Sequence, residues 1–241
     1  MHDSLRAHPV TRSFTPKRII VISIQKNFLF IHVPKTAGNS IQHILKDYSE
    51  DSIVTTARRQ DGIERFGVRN DKYHTTKHSP LSQYRKVLEP ELYDQLFKFA
   101  TIRNPWERMI SRYFSPHRRV KAWSREDFAQ FIDAVPPLSH YVLIEPDCQK
   151  PAQKTESSAI LGRRRLNQDI DFLMRFEKLD EDFWQVCNRL DIRYTALPVR
   201  NKSTREHYSY YYDEELRERV RQKFLEEIEF GQYEFGYAES R

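Results

Sequence analysis

Two stretches of the chain hold residue types and spacings suited to gripping anions. In Phe28–Ser40, FLFIHVPKTAGNS, an apolar run enters Pro34-Lys35-Thr36-Ala37-Gly38-Asn39-Ser40, and a helical pattern follows. A strand that turns directly into a helix aims several unpaired backbone N–H groups and the positive end of the helix dipole at one point. Lys35 adds a full positive charge, Gly38 permits close backbone approach, and the hydroxyls of Thr36 and Ser40 are further donors.

The second stretch is Phe99–Phe114, FATIRNPWERMISRYF. Its apolar start reads as a strand, and Asn104-Pro105 opens a helix at once. At ~100° per residue, Asn104, Arg108 and Ser111 fall within about 60° on one face of that helix. Trp106, Met109, Ile110 and Tyr113 take the opposite face, and Arg103 stands at the strand end. An arginine at the root of a polar stripe that contains serine can grip a second phosphate. Between Arg103 and Arg125 there are seven Lys/Arg against one Glu, a surplus equal to that of the whole chain. A solvated helix face is the alternative, less favoured reading of the outer arginines.

These residues need a scaffold, and the periodicities supply one. Ile19–Ile24 and Phe28–Val33 read as strands joined by a polar turn, and Asn39–Tyr48 as an amphipathic helix through Ile41, Ile44, Leu45 and Tyr48. The charged stretch Ala57–Lys77 has neither period and reads as a surface loop. Ser79-Pro80 reads as a helix start with a capping hydroxyl. Phe97–Arg103 is a strand, and Ser124-Arg125-Glu126-Asp127 caps a helix that Pro136-Pro137 stops. Ile170–Phe176 reads as a strand, Asp180–Leu190 as a helix and Asp213–Ile228 as one terminal amphipathic helix. Strands alternating with helices predict an α/β fold in three layers, with a mainly parallel central sheet flanked by helices. We expect a flexible arm over residues 1–18, a single domain over 19–241 and a mobile loop over 146–168.

Composition narrows the classes. The chain has 241 residues, 39 % hydrophobic and 13 % aromatic, enough to fill a sizeable core. Its 40 Lys+Arg against 34 Asp+Glu leave a net charge of +6, a bias toward anionic partners. Six glycines exclude collagen-like and glycine-rich architectures. The two cysteines, Cys148 and Cys187, show no metal-ligand spacing, and Cys187 lies on an apolar stripe with Phe183, Val186 and Leu190, as a buried core thiol would. No segment approaches the ~18 apolar residues of a membrane span. Reduced thiols and the lack of a signal-peptide pattern lead us to expect a cytoplasmic protein.

Taken together and in order, HVPKTAGNS and TIRNPWERMISRYF resemble the two cofactor signatures of sulfotransferases that use 3′-phosphoadenosine 5′-phosphosulfate (PAPS). The likeness is to the carbohydrate-type family, which includes heparan 2-O- and chondroitin-type enzymes and bacterial relatives. It continues through Lys77-His78-Ser79, Arg175-Phe176-Glu177-Lys178-Leu179, Leu197-Pro198…Asn201-Lys202-Ser203 and the tail to Phe235-Gly236-Tyr237. The resemblance implies a fold related to nucleotide kinases, of the P-loop-NTPase type. It also implies that Pro34, Lys35, Thr36, Ala37, Gly38, Asn39 and Ser40 hold the 5′-phosphosulfate. Arg103 and Ser111, eight residues apart, would hold the 3′-phosphate, with Lys202, Ser203 or Arg205 closing over it.

Sulfuryl transfer leaves adenosine 3′,5′-bisphosphate (PAP) and needs two kinds of help. Lys35 is placed to stabilise charge on the leaving group. A histidine near neutral pKa suits the acceptor's proton, and His78, just ahead of the Ser79-Pro80 helix start, is the choice that the resemblance also favours. His74 is second, His32 reads as structural, and His140 faces either an acceptor or water. No metal is implied, because no carboxylate follows the lysine loop to hold one. The expected partner is a hydroxylated acceptor, a saccharide by resemblance, and nucleic acid is not expected.

Two other classes compete. A nucleotide-dependent kinase or NTPase would carry GxxxxGK[ST]; here Lys35-Thr36 imitates its end, but Pro34 stands where glycine is required. A polyanion- or nucleic-acid-binding module would interleave exposed aromatics with its basic residues, whereas Trp106, Tyr113 and Phe114 fall on the apolar side of their helix.

Overall fold

The computed structural model describes residues 22–49, 52–55, 66–70, 72–144, 165–198 and 205–238. The expected arm over 1–18, most of the expected loop over 146–168, Cys148, Lys202 and Ser203 lie outside the described residues.

Strands β1 (Ile22–Ser23), β2 (Phe28–Ile31), β6 (Phe97–Ile102) and β7 (Phe172–Arg175) form one sheet in the order β1-β2-β6-β7. Here β1 is antiparallel to β2, while β2, β6 and β7 run parallel. The register sets Phe30 beside Phe99 and Phe99 beside Phe172, and on the other face Ile31 beside Ala100 and Ala100 beside Leu173. All four residues of β2 are buried, as a parallel strand covered on both faces requires.

The two faces are covered by different helices. Leu29, Ile31, Ala100, Ile102 and Leu173 pack with Leu81 and Tyr84 of α2 (Leu81–Val87), Tyr93 of α3 (Pro90–Gln95) and Leu138 and Tyr141 of α6 (Leu138–Val142). Phe28, Phe30, Phe99 and Met174 pack with Ile41 and Leu45 of α1 (Gly38–Leu45) and with Phe183, Val186 and Cys187 of α7 (Leu179–Arg189). The mixed α/β fold therefore has helices on both sides of a mostly parallel sheet, and Cys187 is the buried core thiol that its stripe predicts. A third, aromatic-rich core joins α4 (Pro105–Tyr113), α5 (Arg125–Ala134) and α8 (Glu214–Lys223). Trp106, Met109, Ile110 and Tyr113 are all buried in it, so the apolar side of α4 is core and offers no exposed aromatics to a nucleic acid.

The structure corrects several boundaries. Within the stretch read as a surface loop, β4 (Phe66–Asn70) and β5 (Thr75–Thr76) join β3 (Ser52–Thr55) in a separate antiparallel sheet. The dense charge around them hides the short alternation that marks a strand. The Ser79 hydroxyl does not cap α2; it accepts from the Thr76 N–H at 2.9 Å, and Pro80 is the N-cap. The terminal helix is two, α8 and α9 (Leu225–Gly231), broken at Phe224, whose side chain is buried in the aromatic core. The caps at Asn104, Ser124 and Asp213 do form, each side chain accepting from N–H groups of its first turn.

Candidate functional site

The three parallel strands end on the same side of the sheet, and their carboxyl ends deliver the charged residues. This is the edge at which open α/β sheets place their ligand crevices. From β2 the chain passes through His32 and Val33 into the lysine loop; from β6 it reaches Arg103; from β7 it enters Phe176–Lys178. Arg103 ties all three together. Its guanidinium donates to the Lys35 carbonyl at 3.0 Å and to Glu107 Oε1 at 2.5 Å, and stacks on the Phe176 ring with 3.9 Å to the centroid. Asn104 N–H donates to Glu177 Oε1 at 2.9 Å, closing the second link between the β6 and β7 ends. Arg103 is buried, and its Nε has no hydrogen-bond partner among the described residues.

The loop between β2 and α1 is held in an uncommon backbone state. Lys35 and Ala37 both have positive φ, 70° and 67°, without being glycine. Such residues are usually strained and persist where the surroundings enforce them. The turn closes through Ser40 N–H and Ile41 N–H, both donating to the Ala37 carbonyl, while the N–H groups from Lys35 to Asn39 take no protein carbonyl among the described residues. These donors stand in a row at the start of α1, where the sequence leads us to expect an anion.

Other parts of the loop differ from expectation. The Thr36 hydroxyl donates to the Val33 carbonyl at 2.9 Å and the Ser40 hydroxyl to the Pro198 carbonyl at 2.8 Å, so both brace the loop. Gly38 is required by His32: a Cβ at position 38 would lie 2.0 Å from His32 Cδ2. Its bareness serves the packing of the preceding strand, so close approach of a ligand is not needed to explain it.

The electrostatics are one-sided. Lys35 is half-buried and has no ion-pair partner among the described residues. Its pKa is lowered, first by burial and then by the neighbouring Arg103, Arg205 and Arg112. Arg205 is likewise lowered, by burial and by Arg103, against the opposing pull of Glu107, which lies 3.8 Å from it. Arg103 and Arg205 thus share Glu107, and together with Arg112 they lower the pKa of Lys35. Ser111, on α4, is buried.

His78 lies across the loop from this cluster. Its Nδ1 sits 2.9 Å from the His32 carbonyl oxygen. A carbonyl only accepts, so Nδ1 carries the proton and Nε2 holds a free lone pair, the tautomer a general base needs. The residue keeps an open, solvent-facing edge, yet enough protein surrounds the ring to lower its pKa to about 4. Burial is the main cause, opposed by the bond to His32; Lys77, Arg112 and His117 lower it further. Burial is thus the first cause that keeps the ring neutral. Lys77 Nζ donates to Asn39 Oδ1 at 2.5 Å, and burial together with Lys35 brings its pKa down to about 8.

Of the other histidines, His32 is buried, packs edge-on against His78 at 4.6 Å and has its pKa held well below the usual value, so it is structural. His74 is exposed in a left-handed turn, and its carbonyl accepts from Gln83. His140 is exposed in the middle of α6, against Tyr141. Arg108, read as part of the polar stripe, is turned away from the cluster: it is buried and paired with Glu227 of α9 at 2.9 Å. A two-turn helix with core on two sides buries more than one face, which a single polar stripe does not foresee. Sequence reasoning also missed Glu107, Arg112 and His117 as members of the site; the adjacency of Arg112 to Ser111 was the available signal.

Among the described residues no group of three or more His, Cys, Asp or Glu is arranged to hold a metal ion, and no helix is long and apolar enough to cross a membrane. Fold and site together define a mixed α/β protein with a cluster of cations at its parallel strand ends. The sulfotransferase family model matches residues 18–234, nearly the whole chain, and the protein belongs to that family. No curated protein and no solved structure matches it.

Proposed function

We propose that the protein transfers a sulfuryl group from PAPS to a hydroxyl of an acceptor, a saccharide in the favoured case, on a fold of the P-loop-NTPase type. Family membership supports sulfuryl transfer in general. The observation that carries the donor assignment is the grouping of Lys35 with Arg103, Arg112 and Arg205 at a loop whose N–H groups from Lys35 to Asn39 take no carbonyl among the described residues. A ligand with phosphates at both ends would add counter-charge to cations of which two, Arg103 and Arg205, already lie beside Glu107. Pro34–Ser40 would hold the 5′ end, with the loop N–H groups and Lys35 as donors. Arg103, Ser111 and Arg205 would hold the 3′ end, joined by Lys202 and Ser203.

The donor supplies an activated sulfuryl group on a phosphate leaving group. His78 accepts the acceptor's proton at Nε2 while its Nδ1–H stays on the His32 carbonyl. As the sulfur–oxygen bond to the phosphate breaks and the bond to the acceptor oxygen forms, Lys35 meets the charge that collects on the bridging oxygen. Its lowered pKa reflects an ammonium short of counter-charge, which strengthens its hold on such an oxygen. A cytoplasmic setting, expected from the sequence, belongs to the same proposal.

Calorimetric titration with PAP, and with ATP and magnesium as the control, tests the reading on the wild type and on Arg103→Ala. Tight PAP binding that the variant loses is the expected result. Binding of ATP without PAP would replace this reading by a kinase-like one, and binding of neither would leave a polyanion module.

A further inference from the structure

Two stretches that the proposed chemistry leaves unused, Arg175-Phe176-Glu177-Lys178-Leu179 and the tail beyond α9, meet beside Arg103. Glu177 uses both of its carboxylate oxygens there. Oε1 accepts from the Asn104 N–H at 2.9 Å, and Oε2 accepts from the Tyr233 hydroxyl at 3.0 Å. Asn104 in turn uses both ends of its amide. Its Oδ1 caps α4 by accepting from the Trp106 and Glu107 N–H groups, and its Nδ2 donates to the Glu234 carbonyl at 3.2 Å. Tyr233 and Glu234 are chain neighbours, so the contacts close a ring from Asn104 through Glu177, Tyr233 and Glu234 back to Asn104. That ring joins the ends of the parallel strands β6 and β7 to a segment 130 residues beyond Asn104.

The ring frames the arginine. Arg103 directly precedes Asn104, and its guanidinium stacks on Phe176, the residue before Glu177, with 3.9 Å to the ring centroid. The bond from Asn104 to Glu177 therefore fixes, one residue further along each chain, the backbone from which the arginine and its aromatic platform project. Glu107, which accepts from the guanidinium at 2.5 Å, stands in the first turn of the helix that Asn104 caps. Tyr233 is a firm anchor for the far side. Its N–H donates to the Ile228 carbonyl at 3.0 Å, and Gln232 before it is left-handed at φ 53°. Its ring also fills the space of any side chain on Gly231, with Cε2 2.1 Å from where a Cβ would stand. A free arginine has much rotamer freedom to lose, so fixing it in advance strengthens its hold on an anion.

We propose that Glu177 is a positioning residue for Arg103: locked by the Tyr233 hydroxyl, its carboxylate holds the Asn104 peptide, and with it the arginine on its Phe176 platform, in the orientation that receives the 3′-phosphate. The inference rests on the donor reading given above, which puts Arg103 at that phosphate. Glu177 acts through Arg103, since a carboxylate repels a phosphate. Glu177 is exposed, so shortening its side chain empties no part of the core.

PAP and adenosine 5′-monophosphate differ only in the 3′-phosphate, and the pair therefore isolates the arginine end of the site. Affinities for both are measured by calorimetry on the wild type, Glu177→Ala, Glu177→Gln and Tyr233→Phe. Glu177→Ala should weaken PAP by about 10-fold and the monophosphate by less than about threefold. Glutamine keeps an acceptor for the Asn104 N–H and should recover most of the loss, which separates the brace from the charge. Tyr233→Phe removes one hydroxyl from a ring that stays packed; it should cost PAP about threefold, leave the monophosphate unchanged, and decide the case if Glu177→Ala does not fold. Equal loss on the two ligands would show that the ring only supports the fold and would overturn the proposal. Equal loss in the alanine and glutamine variants would overturn it too, by assigning the effect to charge, as would PAP affinity unchanged in both Glu177→Ala and Tyr233→Phe. A wild type that binds PAP no more tightly than the monophosphate would overturn the donor reading itself, and this inference with it.

Discussion

The ring of His32 occupies the space that any side chain at position 38 would need, with its Cδ2 only 2.0 Å from where a Cβ would stand. The strand that precedes the lysine loop and the helix that follows it are therefore fitted to each other through one missing atom. Gly38→Ala must push the ring or the start of α1 aside, at a cost of about 1–3 kcal/mol. We expect a lower melting temperature and weakened PAP binding, with His32→Ala in the same chain restoring part of both. Additive losses in that double-mutant cycle would show that the two positions are not coupled.

Lys35→Ala should keep the fold, because the Lys35 side chain braces nothing among the described residues; only its carbonyl is used, by Arg103. Turnover should fall by about 10²–10³, the usual consequence of losing one preorganised donor to a developing anion. Steady-state rates checked beside a circular-dichroism melt decide it, and near-normal turnover would remove Lys35 from the mechanism.

For His78 the pKa of about 4 puts the ring neutral throughout the physiological range. Transfer should therefore show no acidic limb between pH 6 and 8 attributable to this residue. Stability has a matching signature. Unfolded histidine takes up a proton near pH 6.5, while folded His78 does not until about pH 4 and folded His32 is also held low. The unfolded state thus binds more protons between those values, and stability should fall as pH drops from about 6.5 toward 4. Urea midpoints across that range should slope less in His78→Ala, which should also abolish transfer while PAP still binds. Loss of PAP binding would mean that His78 holds the loop in place.

Lys77 titrates near pH 8, low for a lysine because it is buried beside Lys35. An anion in the site favours the charged form and raises that pKa. Binding of PAP should take up a proton above pH 8, and affinity should decline as pH climbs from about 8 toward 10. Calorimetry in two buffers of different ionisation enthalpy measures the proton count directly. Lys77→Met should remove the uptake; if it persists, another group is responsible.

Arg108 and Glu227 form a buried pair between α4 and α9, and Glu227 Oε1 also accepts the Leu138 N–H at 2.7 Å. Burial raises the Glu227 pKa, while Arg108 and that N–H resist the rise. Removing one partner strands the other charge, at about 3–5 kcal/mol, so Arg108→Ala or Glu227→Ala should unfold at much lower urea. Arg108→Met with Glu227→Leu should recover most of the loss. A mild effect of the single variants would mean that water reaches the pair.

Much of the scaffold was legible because its signals are local. The strand into the lysine loop, the Asn104-Pro105 helix start and the stripe holding Cys187 each declare themselves within about ten residues. The second sheet was not legible, since its short strands pair through contacts that the charged sequence around them does not advertise. At the site, Lys35, Arg103 and His78 could be chosen from motif spacing. What those motifs could not say is how the charges are shared out. Arg108 is drawn into the core by Glu227, 119 residues away, and Arg112 stands close enough to Lys35 and His78 to lower the pKa of each. Both depend on long-range packing.

Glu107 gives the cluster of cations an internal counterion. Held by Arg103 at 2.5 Å and lying 3.8 Å from Arg205, it occupies part of the positive field before any ligand arrives. Binding is then an exchange in which an arriving anion competes with a tethered carboxylate for the same guanidinium groups. A small monovalent ion gains little from that exchange, whereas a ligand carrying charge at two separated points engages the arginines and the lysine loop together. A single glutamate would thereby favour a ligand of several charges over the small ions of the surrounding salt.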